Sequence, residues 1–507
     1  MVHFLCATAC ALSVLSQLGT ACTVRTSSAP STLVNRDWTA AEIAPRLGPL
    51  LSEGSSIFGP TDSRWASATE RYDTYTEPHV EVVVQPGQES DIPIIIEFAN
   101  NNSISFLAVN RGHGMTTTQW TFHGIKIDLS LLRNLTVSPG GQTAWIQGGG
   151  WASEVIGDLW DQGYVMTTGS AECPGILGVG LGGGHGRLEG MYGLMSDNFV
   201  TLNVVLANGT MLNVSNTSHP DLFWAMKGAG HNFGVVTSFE IKIYPRPMEN
   251  WYYKINTWTE DHLETVFTEL AAFHANGNYT SDMAVNYGMY MLDTSLNVTD
   301  RGQADPEAKP IIWWSFVYAG SQADAQQYLD PFDAIPALTV SDGSVPYNQI
   351  ADKTGTGLTS GLCADGYAHV HYTSGLQTWN QYPVFAGSAV VMEDYAHQGV
   401  AAVDSDSSAF PWRDRSLLNF ISMTYASNET IDQPALDWAA QTKALWEEGD
   451  PSLRPSTYVN YAHGDESLES MYGYESWRLT RLRALKAQFD PESRFNYYNP
   501  ITTTKSG

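Results

Sequence analysis

The sequence predicts an α+β protein in two parts: an N-terminal domain of short strands with a few helices, and a following domain built on an antiparallel sheet. Three observations carry this. Residues 79–245 hold short apolar runs separated by turn signals. Residues 247–445 are richer in aromatics, and strand windows alternate there with helical ones. Residues 446–507 return to a long helical window ended by Asp490-Pro491, followed by a short tail. The 507 residues leave room for two or three domains, and a content of 43% apolar and 16% charged residues is that of a globular chain.

In chain order, residues 2–21 (VHFLCATACALSVLSQLGTA) read as a secretory signal peptide cleaved near Ala21. Sequons at Asn101, Asn134, Asn208, Asn213, Asn216, Asn278, Asn297 and Asn428 agree with a secreted chain carrying N-linked glycans. Cys6 and Cys10 fall in the leader and Cys22 at its edge; pairing of Cys173 with Cys363 is left open. Residues 22–246 form the first domain. TAAEIAPRLGPLLSEG reads as a helix, HVEVVV as a strand, and IPIIIEF as a helix running into a strand. IKIDLS, AWIQGGG, VTLNVVLANGTMLNV and VVTSFEIKIYP read as further strands, with Asn208-Gly209 as a hairpin turn. Nothing in this half reads as a series of βαβ repeats. Residues 247–445 form the second domain, where IIWWSFVYAG reads as a strand and ADAQQYLDPFDAI as a helix. In 446–507, ESLESMYGYESWRLTRLRALKAQF reads as one long helix.

Acidic residues number 53 against 26 basic ones, a net charge of −27. Such a surface repels nucleic acid and anionic lipid, and no later run reaches membrane-spanning length. Patterns for metalloproteases, serine hydrolases, P-loops and Cys-x-x-Cys redox sites are absent, and no metal site is expected: His369-x-His371 lacks an evident third ligand.

Glycine concentrates in NRGHG (110–114), GSAECPGILGVGLGGGHG (169–186) and GAGHNFG (228–234). Glycine lets backbone approach a ligand closely and present its N–H groups. Three such loops in one domain point to one extended anionic ligand. Gly178, Gly180 and Gly183 fit G-x-G-x-x-G, but no strand leads into them and no acidic residue follows at the required distance.

LGGGHGRLEGMYGLMSDNFVTLNVVLANG and DLFWAMKGAGHNFGVVTSFEIKIYP, with the terminal YVNY…YGYESWRLTRLRALKAQFDPESRFNYYNPI, resemble the berberine-bridge-enzyme-like branch of the vanillyl-alcohol-oxidase superfamily. The resemblance implies a two-domain fold in which residues of about 75–245 bind FAD, the final segment completes that domain, and the middle domain covers the flavin and binds substrate. It implies that His113, in the loop Asn110, Arg111, Gly112, His113 and Gly114, is bonded to the flavin; Arg111 stands where the family has glycine. The position of the family's second, cysteinyl link falls on Ala171, so the resemblance implies a single covalent link through His113, with Cys173 on the flavin as the alternative that a shifted alignment would give. Gly169 and Ser170 would run along the ring, and Gly178, Gly182, Gly183, Gly184 and Gly186 would line it or its ribityl chain. Asp197, Asn198, Val235 and Asn499 match further cofactor positions, and Tyr461 matches a proton acceptor. Trp313, Tyr318, His369, His371, Tyr372, Met392 and Glu393 are pocket candidates by strand alternation. The function implied is a secreted FAD-dependent oxidoreductase using a small natural-product substrate and dioxygen, with oxidative ring closure as one variant. A carbohydrate oxidase and a non-catalytic flavin-binding protein are the alternatives.

Overall fold

The computed structural model describes residues 37–275, 280–292, 309–372, 389–415, 417–449 and 454–502. The leader expectation, with Cys6, Cys10 and Cys22, and the sequons at Asn278 and Asn297 lie outside the described residues. The chain from Asn35 onward forms one compact unit.

Strands β1 (Ser56–Phe58), β2 (His79–Gln85), β3 (Ser105–Val109) and β4 (His123–Asp128) form a sheet in the order β1-β2-β4-β3. β4 lies parallel to both β2 and β3. The apolar run 92–98 is indeed helical, within Asp91–Asn101, and packs Ile92, Ile95 and Ile96 on Val82, Val84, Ile125 and Ile127. The segment β2–helix–β3 is therefore one parallel crossover, a single βαβ unit rather than a series of them. It occurs once, with β4 inserted between its two strands.

The second sheet is antiparallel. β5 (Leu135–Val137), β6 (Thr143–Gln147), β8 (Phe199–Val205), β9 (Met211–Ser215) and β10 (Val235–Lys242) run in the order β5-β6-β10-β8-β9, while β7 (Tyr164–Val165) pairs with β11 (Tyr244–Pro245). Asn208-Gly209 does turn the β8–β9 hairpin: Gly209 has φ +86°, and Leu206 N–H donates to Thr210 O at 2.9 Å.

The third sheet has seven antiparallel strands: β12 (Trp251–Thr259), β13 (Val285–Leu292), β14 (Pro310–Tyr318), β15 (Thr339–Val345), β16 (Ala368–Tyr372), β17 (Ala389–Tyr395) and β18 (Leu417–Tyr425), ordered β15-β12-β14-β13-β17-β18-β16. Alternation assigns its two faces. Trp314, Phe316, Tyr318, Val370, Tyr372, Val390 and Met392 belong to one apolar cluster with the helices Leu263–Ala275, Gln322–Asp333 and Glu429–Gly449. Trp313, Val317, Val391 and Tyr395 belong to the cluster shared with the second sheet.

The terminal helical window is two helices, not one: Leu468–Tyr472 and Ser476–Phe489. Gly473 takes φ +96° and ends the first; a Cβ there would sit 2.6 Å from a Glu475 carboxylate oxygen. Among the described residues, no helix is long and apolar enough to cross a membrane.

Candidate active site

β3 runs directly into the loop 110–114, and side chains clamp this loop. Asn110 donates to Gly148 O at 2.9 Å and Gly150 O at 2.8 Å. Gly112 adopts φ +69°, so the turn needs glycine. Arg71 donates to Gly114 O at 2.8 Å, and Tyr72 N–H donates to Gly112 O at 3.4 Å. The His113 ring stacks on Tyr72, centroids 4.0 Å apart. Burial pushes its pKa down to about 3, so the imidazole is neutral and nucleophilic near pH 7.

A cavity lies against this loop. Asn110, Arg111, Gly112, His113 and Gly114 line it with Gly178 and Val235, as the sequence reading expects. So do Arg71, Gln119, His231, Asn460, Tyr461, Arg494, Tyr497 and Tyr498. Its walls hold unsatisfied polar atoms: Arg71 Nε, Asn110 Oδ1, His113 Nε2, Gln119 Oε1, His231 Nδ1, Asn460 Oδ1 and Arg494 Nε are all buried without a partner. Buried polar groups in native proteins are normally paired, so this many on one wall point to a missing polar ligand. A Cβ on Gly178 would meet only open space, which makes that backbone a bare cradle. The donor set, with the cations Arg71 and Arg494, the amides Asn110, Gln119 and Asn460, and the rings of Tyr461, Tyr497 and Tyr498, fits the phosphate and ring portions of a flavin dinucleotide.

A second cavity adjoins the first and shares His113, Pro174, Val179, Asn460 and Tyr461 with it. Gly169, Ser170 and Ala171 line it, Tyr72, Tyr395, Phe420, Tyr458 and Tyr461 give it an aromatic lining, and Leu362 adds an aliphatic side chain. Its acid is Glu393, on the same face of β17 as Tyr395. Tyr461 Oη donates to Glu393 at 2.9 Å. Burial raises the Glu393 carboxyl to about 7, and burial beside that carboxylate drives the Tyr461 phenol far above its ordinary range. His185 also lines this cavity; its Nδ1 lies 3.0 Å from the fully buried Glu189, leaving Nε2 without a partner.

Several expected cofactor contacts are used for packing instead. A Cβ on Gly182 would strike Asn460, on Gly183 the Phe410 ring, on Gly184 Met195, and on Gly186 the Thr168 carbonyl at 1.6 Å. These four glycines let chain segments touch and do not line either cavity. Asp197 forms a two-point ion pair with Arg413 at 2.6 and 2.7 Å. Asn198 bonds Tyr192 O, Leu194 O and Tyr244 Oη. Asn499, at φ +42°, accepts from Thr116 and donates to Val459 O, which fixes the tail beside Tyr498. Arg111 does line the first cavity, but its guanidinium lies over Trp151 at 4.3 Å. Of the pocket candidates, His371 and Glu393 reach the second cavity, whereas Tyr318, Tyr372 and Met392 pack on the opposite face of the sheet. Trp313 packs against Tyr287, and His369 stacks on Tyr72.

Cys173 is bonded to Cys363. The bridge fastens the loop containing Thr356 and Leu362 over the second cavity, helped by Glu172 N–H to Thr356 O at 3.0 Å and by Arg187, which bonds Ser170 O and Thr356. Arg71, Tyr72 and Arg494 escape a motif-based reading because they lie outside its glycines. His185 and His231 did stand in glycine loops, GGGHG and GAGHNFG, which is the signal that could have found them.

This fold and cavity pair define an FAD-binding oxidoreductase. Residues 80–215 match the family described as FAD binding domain, and 457–502 match berberine and berberine like. The chain is 51% identical over 476 residues to the FAD-linked oxidoreductase anuG of Penicillium roqueforti, covering 91% of this chain and 92% of that one. It belongs to the berberine-bridge-enzyme-like family of FAD-linked oxidoreductases. Its fold is that of BBE-like 1 of Physcomitrella patens (TM-score 0.76, 18% identity, 92% of this chain and 100% of that one). It is likewise that of the glucooligosaccharide oxidase of Acremonium strictum (TM-score 0.74, 19% identity, 91% and 99%), a protein described with a 6-S-cysteinyl, 8α-N1-histidyl FAD.

Proposed function

We propose that this chain is a secreted oxidase that holds FAD covalently through His113 and oxidises a small, flat natural-product alcohol, with Glu393 as proton acceptor. The observation that carries this reading is the Tyr461–Glu393 bond inside an aromatic cavity next to His113. A base works best when its pKa lies near the operating pH, and Glu393 at about 7 meets that condition. The phenol donates to this carboxylate, so Tyr461 orients the base rather than acting as one. FAD bound here would supply the two-electron chemistry, as hydride acceptor from the substrate and electron donor to dioxygen. The protein orients the hydroxyl on Glu393, takes its proton there, and excludes water with Tyr395, Phe420 and Leu362. The same base would serve a ring closure that starts from a phenol.

The bonded Cys173 leaves His113 as the attachment residue on this loop system. The cavity lining supports an aromatic substrate: sugar hydroxyls need many polar partners, and here rings predominate. An oligosaccharide oxidase remains the second reading because the glucooligosaccharide oxidase shares the fold. The disulfide and the exposed sequon residues Asn101, Asn134, Asn208, Asn213, Asn216 and Asn428 support secretion and glycosylation.

The test is acid precipitation of wild type and His113→Ala, followed by anaerobic mixing of the wild type with benzylic and phenolic alcohols and with cello- and xylo-oligosaccharides. Colour kept in the wild-type pellet alone, with flavin bleached by the aromatic alcohols, is the expected result. Bleaching by the sugars alone would replace the substrate class.

A further inference from the structure

We infer that the ring column His113–Tyr72–His369 presents the His113 imidazole for attachment to the flavin, with Tyr72 and His369 as positioning residues. The inference rests on the covalent reading above. The Tyr72 ring lies 4.0 Å from His113 at 14° and 3.9 Å from His369 at 11°. Parallel rings at this separation touch across their whole faces, so the imidazole cannot tip without losing contact.

Both ends of the column are fixed by backbone. Toward the flavin loop, Tyr72 N–H donates to Gly112 O and Arg71 to Gly114 O, so residues on either side of His113 are held. Toward the seven-stranded sheet, Thr74 N–H donates to Tyr367 O at 2.9 Å and Gly366 N–H to Arg71 O at 2.9 Å. The Asp73 carboxylate accepts from His369 N–H at 2.9 Å, and the His369 ring is tied through Nδ1 to Thr424 Oγ1 at 3.1 Å. One short run, residues 71–74, is thus sewn to the flavin loop and to the sheet that covers the site.

Packing alone does not account for the choice of rings. Both imidazoles keep a buried Nε2 without a partner, a cost that phenylalanine would avoid. Within the column, His113 lines both cavities, Tyr72 lines the second, and His369 lies behind them. Attachment forms a bond from an imidazole nitrogen to the flavin 8α carbon. One proton leaves the methyl group and one leaves the ring, two electrons pass to the flavin, and dioxygen removes them as hydrogen peroxide. The nucleophile must be neutral, and burial together with Arg111 and Arg71 keeps it so. Orientation is what remains to be supplied.

Full-length protein made in riboflavin-limited cells is mixed with FAD, and acid-stable flavin fluorescence is followed in time for wild type, Tyr72→Phe, Tyr72→Leu and His369→Leu. Total bound FAD and Tm are measured on each. Tyr72→Phe, which keeps the stack, attaches flavin at the wild-type rate. Tyr72→Leu and His369→Leu bind FAD but attach it about tenfold or more slowly, the scale of cost for a misplaced reacting group. Attachment at the wild-type rate in both leucine variants overturns the inference. If Tyr72→Leu holds no FAD, His369→Leu decides, because His369 lies outside both cavity linings. Acid release of flavin from the wild type overturns the covalent reading itself, and the inference with it.

Discussion

Tyr461 donates its phenolic hydrogen to Glu393 across 2.9 Å, so the carboxylate is the acceptor of the pair. The resemblance gave the acceptor role to Tyr461, and this bond gives it to Glu393. A buried phenol beside a carboxylate holds its proton, while a buried carboxyl near pKa 7 exchanges its own.

Glu393→Gln should therefore lower the rate of flavin reduction by about 10²–10⁴, the usual contribution of a positioned base. Because the carboxylate is the active form, the wild-type rate should rise with pH through about 7 and level above it. The variant should lose that limb. Tyr461→Phe should keep the limb and shift its midpoint. Anaerobic stopped-flow across about pH 5.5–8.5, roughly a decade and a half in proton activity on either side of the carboxyl, reads all three.

Gly186 and Gly178 lie in one glycine-rich stretch yet should respond in opposite ways to alanine. Gly186→Ala places a methyl 1.6 Å from Thr168 O and should prevent folding. Gly178→Ala enters open space in the cavity, so the protein should fold with normal Tm and bind FAD more weakly, by about 1–3 kcal/mol for an intruding methyl. Thermal melts with and without FAD separate the two.

Asp197→Asn tests the reassignment of that residue. It leaves the Arg413 guanidinium buried beside an amide, and breaking a buried pair by removing one partner costs about 3–5 kcal/mol. Stability should fall by this amount in denaturant melts, while flavin stoichiometry of the folded fraction stays at the wild-type value.

Acid should destabilise the apoprotein. Burial lowers His113 and His371 to about 3, His231 to about 4 and His369 to about 2. Each has an unfolded value near 6.5, so the unfolded chain binds more protons below that pH. Their contribution is full above about 6.5 and is lost progressively as pH falls toward the folded values of about 4 to 2. Asp73 and Glu393, both raised to about 7 by burial, act in the opposite sense between about 4 and 7. The histidines outnumber them, so Tm should drop as pH falls from 6.5 to 4.5; a flat or rising Tm would contradict this.

The short strands, the β8–β9 hairpin and the helix over 91–101 were legible in sequence because periodicity and turn chemistry are local. So was the loop around His113, since glycine flanks it on both sides. The packing use of Gly182, Gly183, Gly184 and Gly186 was not, because glycine looks the same whether the atom it admits belongs to a ligand or to Thr168. Asp197 matched by motif, but its partner Arg413 lies 216 residues away. The break at Gly473 was hidden by helix-forming neighbours on both sides. Glu393 was visible as one of several alternating strand residues; only its bond to Tyr461 distinguishes it.

The first cavity takes Arg71 from near the start of the described chain, and Asn460, Tyr461, Arg494, Tyr497 and Tyr498 from near its end. The cavity is thus closed by residues far apart in the chain, and removing residues 457–502 would take Asn460, Tyr461, Arg494, Tyr497 and Tyr498 from its lining at once. A polypeptide cut in that way should retain no flavin, however well its glycine loops fold.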